Sequence, residues 1–196
     1  MFPGTVAHNI FILTFPLPGI MRDITPALVF NNRAEEAAKF YVSVFSAVTG
    51  KSKILHISRY TDEELMALSN LPEEIRPGPA GSVLTVQFLL NGQEFTATNG
   101  GSYFTFCQGI SLYVKCETQA EIDLFWGKLT ADGGQESMCG WLKDRFGLSW
   151  QIVPTALGRL MGDPDPERAA RVTQAMLAMN KIEVAGLQAA YDGVPG

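Results

Sequence analysis

Hydrophobic and polar positions along this chain follow two periods, and their order predicts a strand, a helix and then further strands. Ile24–Phe30 predicts a strand, with Pro26 near its start or on a sheet edge. In Arg33–Val48, apolar residues recur at helical spacing on one face. That face holds Ala34, Ala37, Ala38, Tyr41, Val44, Phe45 and Val48. Lys53–Tyr60 then predicts a strand that is exposed on one side.

A loop and a hairpin complete this first unit. Residues 61–80 contain three prolines and many acidic side chains, which predicts a long loop with one helical turn. Ser82–Leu90 has the period-two pattern of a strand. Asn91-Gly92 is a strong hairpin signal, and it precedes a returning strand at Gln93–Asn99.

The same order recurs in the second half of the chain. Ile110–Cys116 predicts a strand, and Thr118 with Glu121 forms a capping box that starts a helix. The predicted buried face of that helix holds Ile122, Phe125, Trp126 and Leu129. Ser137–Leu142 and Leu148–Val153 predict two strands around a turn at residues 144–147. Because each unit alone would expose one face of its sheet, we expect the two units to pair.

The end of the chain is predicted to be helical. Asp165 is a candidate N-cap, Pro166 suits the first helical position, and a second helical segment covers Lys181–Tyr191. We expect these helices to be packing elements or dimer arms. The predicted organisation is an N-terminal arm at 1–23, a first module at 24–103, a second module at 104–154 and C-terminal helices at 155–196.

The first residues need a separate interpretation. The apolar run Ile10–Leu17 is far shorter than the roughly 20 residues that cross a bilayer, and Pro16 interrupts it. No Lys or Arg precedes the run and no A-x-A cleavage site follows it, which argues against a signal peptide. Two interpretations stay open: the segment covers an apolar surface, or Met21 is the natural start.

Composition narrows the class of protein. The 196 residues are 46% hydrophobic and 18% charged, with a net charge of −5. The basic residues are scattered singly, so we expect neither a nucleic-acid partner nor a membrane. The chain has three widely spaced cysteines and no CxxC motif: Cys107, Cys116 and Cys139. This pattern predicts reduced thiols in a cytoplasmic protein. The two histidines, His8 and His56, exclude an HExxH helix and a three-histidine zinc site.

Four stretches of the chain resemble the PhnB-like family of the vicinal-oxygen-chelate superfamily, which includes glyoxalases and bleomycin-resistance proteins. They are AEEAAKFYVSVF (Ala34–Phe45), VQFLLNGQEFTATNGG (Val86–Gly101), ISLYVKCETQAEID (Ile110–Asp123) and CGWLKDRFGLSWQIVP (Cys139–Pro154). The resemblance covers residues 24 to about 190. It implies an α+β fold in which paired βαβββ modules form a cupped mixed sheet around a pocket. It also implies a homodimer.

The resemblance further implies where metalloenzymes of the superfamily hold their cation. Imidazole or amide groups on the first strand of each module, and carboxylates on the last strand, bind a divalent ion. The corresponding positions fall near Thr25 or Pro26, near Ser111, near Thr96 or Thr98, and at Gln151. All are uncharged, and such groups do not offset the cost of partly dehydrating a divalent cation. We therefore expect no metal and no other cofactor.

The second module supplies the candidate ligand-binding residues. Strand alternation places Gln151 opposite Trp150 and Ile152, so it faces the cup if those two pack under the helices. The predicted ligand-binding set is Ser111, Tyr113, Trp141 and Gln151. We expect a metal-independent small-molecule-binding homodimer, with no catalytic residue assigned and enzymatic activity left open.

Three alternatives were weighed against this hypothesis. One is a metal-dependent lyase, isomerase or dioxygenase that uses unusual ligands or Glu94. Another is a structural or interaction protein whose cup is filled by its own side chains. The third is the methyltransferase of the label that the family often bears, 3-demethylubiquinone 3-methyltransferase. It is disfavoured because Gly100-Gly101 and Gly133-Gly134 do not open helices after buried strands.

Two further pairs of side chains are candidates for catalysis or for contact with a substrate. Cys139 and His56 are a candidate nucleophile and base, but no histidine lies near Cys139 in the sequence, which disfavours catalysis by this pair. Asp144 and Arg145 are expected to fix their turn by hydrogen bonding and charge pairing rather than to touch a substrate.

Overall fold

Two four-stranded mixed sheets form the framework of the computed structural model, which describes residues 24–194. The first sheet consists of β1 (Ala27–Phe30), β2 (Lys53–Arg59), β3 (Val83–Leu90) and β4 (Gln93–Asn99). The second consists of β5 (Leu112–Cys116), β6 (Gln135–Glu136), β7 (Trp141–Lys143) and β8 (Ser149–Pro154). The strand orders are β1-β4-β3-β2 and β5-β8-β7-β6. In each sheet the first two strands of this order, β1 with β4 and β5 with β8, are parallel, and the other neighbours are antiparallel. Each half of the chain is therefore a βαβββ module.

Helices lie between the first two strands of each module, between β2 and β3, and at the end of the chain. They are α1 (Ala34–Thr49), α2 (Asp62–Ala67), α3 (Gln119–Thr130), α4 (Thr155–Met161), α5 (Pro166–Leu177) and α6 (Val184–Asp192). Single 3-10 turns occupy Glu73–Ile75 and Ala131–Gly133. The α+β fold of paired modules with a C-terminal helical extension is confirmed. The residue boundaries proposed between the modules stay a prediction.

The helix α1 packs with its predicted face against the first sheet. Of the seven predicted residues on that face, all except Val48 are buried. Its first turn is capped from a distant strand, because the Asn99 side chain at the end of β4 accepts from the Ala34 amide at 2.9 Å. Gly50 ends the helix in the left-handed conformation. The cap by Asn99 ties the helix to the sheet that it covers.

A buried carboxylate joins the two modules. Asp144 accepts from the Tyr41 hydroxyl of α1 at 2.7 Å and from the Trp150 indole of β8 at 2.8 Å. Its other oxygen accepts from the backbone amides of Phe146 and Leu148. Asp144 therefore fixes its turn, as expected, and also holds α1 of the first module against β8 of the second. Burial raises the pKa of the Asp144 carboxyl, although all four hydrogen bonds oppose the rise.

Arg145 fixes the outer side of the same turn. Its guanidinium pairs with Asp132 at 3.1 Å and with Glu36 at 3.4 Å, and it lies 4.3 Å from the centre of the Phe40 ring. The expectation of charge pairing is confirmed, and one of the two pairs again reaches across the modules to α1. The helices α1 and α3 meet nearby, where the Phe45 and Phe125 rings lie 4.8 Å apart.

The predicted strand Ser137–Leu142 was wrong. The structure contains two short strands in its place, β6 and β7, which pair as a hairpin. Cys139 and Gly140 both have positive φ, 59° and 82°, and their amides donate to the carbonyls of Met179 and Asn180. The backbone turns here because its hydrogen bonds go to the C-terminal segment instead of a sheet partner.

The C-terminal helices build a core of their own against the second sheet. The buried residues of this core are Val153, Leu157, Leu160, Val172, Ile182 and Leu187. The Asp165 cap and Pro166 at the start of α5 are confirmed. The helix α4 was not predicted, and α6 begins at Val184 instead of Lys181. The strand β5 begins at Leu112 instead of the predicted Ile110. The predicted helical turn in the 61–80 loop is the capped helix α2.

Candidate functional site

Each strand of the second sheet turns alternate side chains towards the helices and away from them. Leu142, Trp150 and Ile152 are at most 1% exposed and belong to the core. The opposite side carries the residues between them, because successive side chains in a strand point to opposite faces. We call this side the outer face; its residues are Tyr113, Gln135, Trp141, Lys143, Ser149 and Gln151.

The four predicted ligand-binding residues come together on this outer face. Gln151 of β8 is the register partner of Tyr113 on one side and of Trp141 on the other. Cross-strand partners share a face and lie within side-chain contact distance. Ser111 immediately precedes β5, and the Gln151 amide donates to its hydroxyl at 2.8 Å. The geometry groups the four residues, while their part in binding stays a prediction.

The polar centre of this group keeps unused hydrogen-bonding capacity. An amide side chain offers two donors and an acceptor oxygen with two lone pairs. Among residues 24–194, the Ser111 hydroxyl is the partner recorded for the Gln151 side chain, so its carbonyl oxygen stays available. Tyr113 is 53% exposed and Trp141 is half-buried. An amide flanked by two accessible aromatic rings suits a ligand that combines a flat apolar part with polar edges.

A cavity of about 360 Å³ opens on the same sheet. It is lined by Gln108, Gln135, Glu136, Ser137, Trp141, Leu142, Lys143 and Ser149. Its volume lies within the range of small-molecule sites, roughly 300–1,000 Å³. Trp141 belongs both to the cavity and to the predicted set, so the two adjoin. Lys143 was not predicted as a site residue, because the predicted strand ended at Leu142, one residue too early.

The corresponding face of the first sheet is polar and less open. Thr96, Gln87 and His56 are register partners across β4, β3 and β2. In the neighbouring row, the Ser58 and Thr85 hydroxyls are 2.6 Å apart and Thr98 is 9% exposed. Glu94 is exposed beside the hairpin turn. The Ser58 and Thr85 hydroxyls therefore bond to each other within the sheet.

The donor set does not fit the divalent cation that the superfamily resemblance implies. Ser111 and Gln151 are neighbours, but both are neutral and they bond to each other. Thr96 and Thr98 add only hydroxyls on the first sheet. No group of three or more His, Cys, Asp or Glu side chains that could hold a metal ion occurs among the described residues. Hydroxyl and amide oxygens without a carboxylate or imidazole are weak ligands for such ions.

Within residues 24–194, no cysteine is hydrogen-bonded to a histidine. Cys139 lies before β7 of the second sheet, whereas His56 is an exposed residue of β2 in the first sheet. No hydrogen bond between these two side chains is found in the described part of the chain. Cys107, Cys116 and Cys139 are all free thiols. Burial raises the pKa of the Cys116 thiol to about 12, which keeps it protonated at neutral pH.

Fold and outer face together define the class of protein: paired βαβββ modules that carry a polar, aromatic-flanked site on one sheet. The family model described as 3-demethylubiquinone-9 3-methyltransferase matches residues 22–153. The chain therefore belongs to this family, and the resemblance to the PhnB-like family is confirmed. The family match ends at 153, so the extent to about 190 expected from the sequence was too long. The helices α4 to α6 lie outside the matched residues.

Solved structures agree with this assignment. The PhnB protein from Bacillus cereus is 38% identical, with a TM-score of 0.54 over 68% of this chain and 100% of its own. Protein PA1353 from Pseudomonas aeruginosa is 18% identical, with a TM-score of 0.50 over 68% of this chain and 98% of its own, and shows the same fold. The comparison with curated proteins gave no match. Within the described residues, none of the helices has the length and apolar character needed to cross a membrane.

Proposed function

We propose that this protein binds a small molecule without a metal ion, on the outer face of its second sheet. The observation that carries the proposal is the row Tyr113–Gln151–Trp141, in register across three strands, with Ser111 bonded to the central amide. Most buried or half-buried polar groups in folded proteins have partners. The unused Gln151 carbonyl oxygen, which lies between two accessible rings, can therefore accept a hydrogen bond from a bound ligand.

Each side chain has a distinct role in the proposed site. Ser111 holds the Gln151 amide in one orientation through the 2.8 Å bond, which leaves its carbonyl oxygen to accept from a ligand. Trp141 and Tyr113 give flat apolar surfaces on either side. We propose a homodimer as the working form of the protein, and the superfamily resemblance and the apolar C-terminal helices support this. We also propose a cytoplasmic location, supported by the three free thiols.

The family description names a methyltransferase activity, and the fold gives it little support. A methyltransferase of the Rossmann type binds its cofactor at a glycine-rich turn between a parallel strand and a helix. Both described sheets are mixed, with a single parallel pair in each. Gly100-Gly101 follows β4 and leads into a loop, and Gly133-Gly134 follows α3. We therefore do not propose methyl transfer for this chain.

The proposal is tested by fragment binding to protein freed of metal with EDTA and then desalted. A mixed set of small aromatic and aliphatic fragments is screened by saturation-transfer NMR. We expect bound fragments whose signal is lost in Trp141→Ala and in Gln151→Ala. Gln87→Ala is the matched control, because Gln87 has the same side chain on the first sheet and lies outside the proposed site. Fragments that bind these three variants equally would contradict the proposal.

Titration with Zn²⁺ and Mn²⁺ separates the proposal from the metalloenzyme alternative. Neutral oxygen and amide ligands predict no stoichiometric binding of either ion. Tight binding of one ion per chain in the wild type, lost in Gln151→Ala, would overturn the metal-independent site.

A further inference from the structure

We infer that the cavity beside Trp141 selects a small planar carboxylate, whose negative charge pairs with the Lys143 ammonium. This inference rests on the proposed function, because it names the class of ligand for the same face of the second sheet. It goes further in giving a role to Lys143 and Ser149.

Lys143 is a half-buried cation without a counter-ion. It lies on β7, lines the cavity, and is the register partner of Ser149 on one side and Gln135 on the other. Among the described residues, no carboxylate or carbonyl is found within bonding distance of its ammonium group. Lysines with this degree of burial usually carry their charge to water or to a partner. A cation that lines a cavity in this way favours an anionic occupant.

The neighbouring carboxylates do not neutralise Lys143. Glu136 also borders the cavity, but its register partner is Leu142, so it belongs to the opposite side of the sheet. There its Oε1 accepts from the Trp126 indole at 2.9 Å. Asp144 follows Lys143 in sequence, yet it is 3% exposed and both of its oxygens accept hydrogen bonds in the core. Lys143 is therefore the cation that lines the cavity, and the Glu136 carboxylate at the border is bonded to Trp126 instead of to Lys143.

Ser149 is a second and independent sign of a ligand. It is 2% exposed, it lines the cavity, and its hydroxyl has no hydrogen-bond partner among the described residues. The Ser149 oxygen keeps some accessible surface although the residue is buried, so the hydroxyl can donate to an occupant of the cavity. As the partner of Lys143 across the sheet, it lies where a carboxylate oxygen bound to the ammonium would also accept from a hydroxyl.

The shape of the lining indicates a planar ligand. Trp141 follows the cavity wall on the same face of β7 as Lys143, two residues away. A ring that packs on the indole can therefore direct a carboxylate towards the ammonium. The amide side chains of Gln108 and Gln135 supply donors and acceptors around the rim.

The test compares benzoate with benzamide, its uncharged counterpart of the same shape, by NMR titration of the EDTA-treated full-length protein. We expect benzoate to bind about tenfold more tightly than benzamide, because a hydrogen bond from an ammonium to a carboxylate is stronger than one to a neutral amide. Lys143→Gln should remove this preference, because it removes the charge that distinguishes the two compounds. Lys115→Gln is the matched control, since it removes the same charge from an exposed site on β5 outside the cavity.

The outcomes separate this inference from the proposed function. Equal binding of benzoate and benzamide, or a benzoate preference that survives in Lys143→Gln, would overturn the carboxylate class and leave metal-independent binding intact. No binding of either compound would also overturn this inference. The proposed function fails on a different result, the fragment screen with Trp141→Ala and Gln151→Ala. Circular dichroism of Lys143→Gln checks that its fold is unchanged.

Discussion

Removal of the Asp144 carboxylate should strongly destabilise the junction between the modules. In Asp144→Ala, four donors lose their acceptor: the Tyr41 hydroxyl, the Trp150 indole and the amides of Phe146 and Leu148. Tyr41 is fully buried and Trp150 is 1% exposed, so water reaches neither donor easily. At about 1 kcal/mol for each abandoned donor, the expected loss in the free energy of unfolding is about 3–5 kcal/mol.

Two companion variants set the scale of this effect. Tyr41→Phe removes one of the four donors and leaves the carboxylate in place, so we expect a loss of about 1–2 kcal/mol. Asp132→Ala removes an exposed carboxylate that pairs with Arg145 at the same turn, and we expect about 0–1 kcal/mol. Urea unfolding followed by tryptophan fluorescence measures all three. If Asp144→Ala cost no more than Asp132→Ala, the claim that the Asp144 carboxylate holds the two modules together would be contradicted.

Three further predictions concern a glycine, acid stability and the oligomer. Gly140→Ala should destabilise the protein by about 3–5 kcal/mol, because a Cβ there would lie 2.7 Å from the Ile152 carbonyl oxygen. Gly147 is the control, because its φ is similar and a Cβ there would meet no atom within 4 Å. Gly147→Ala should therefore cost only about 1–2 kcal/mol, and urea unfolding measures both variants. Hydrogen bonds from Lys39 to Glu35 and from Arg33 to Glu36 lower the pKa values of the two glutamates below 4.5. The stability that these ion pairs contribute is therefore complete above pH 4.5 and is lost as the pH falls through the lowered values. Replacing both glutamates by Gln should flatten the acid side of a plot of urea midpoint against pH. Light scattering should give about twice the 21.4 kDa chain mass, and a monomer at micromolar concentration would contradict the proposed dimer.

The elements with a clear period could be predicted from the sequence. The faces of α1 and α3, the Asn91-Gly92 hairpin and the Thr118 capping box all depend on residues close together in the chain, and all are confirmed. The hairpin between β6 and β7 could not be predicted, because its turn depends on bonds from Cys139 and Gly140 to a segment 40 residues later. The Asn99 cap of α1 escaped prediction for the same reason.

The candidate site was predicted in part. Alternation along β8 correctly separates Gln151 from Trp150 and Ile152, and the family resemblance brings Ser111 next to it. Lys143 and Ser149 share the alternation of Trp141 and Gln151, so the signal was present in the sequence. The cavity they line was not predictable, because it depends on where β6 ends and how the 137–140 turn leaves the sheet.

The most direct test of metal-independent binding follows the side-chain NMR signals of Trp141 and Gln151 in isotope-labelled, EDTA-treated protein as benzoate is added. We expect saturable shifts of the Trp141 indole and Gln151 amide signals, unaltered when Zn²⁺ or Mn²⁺ is supplied. Shifts that appear only after one of these ions is added would contradict it.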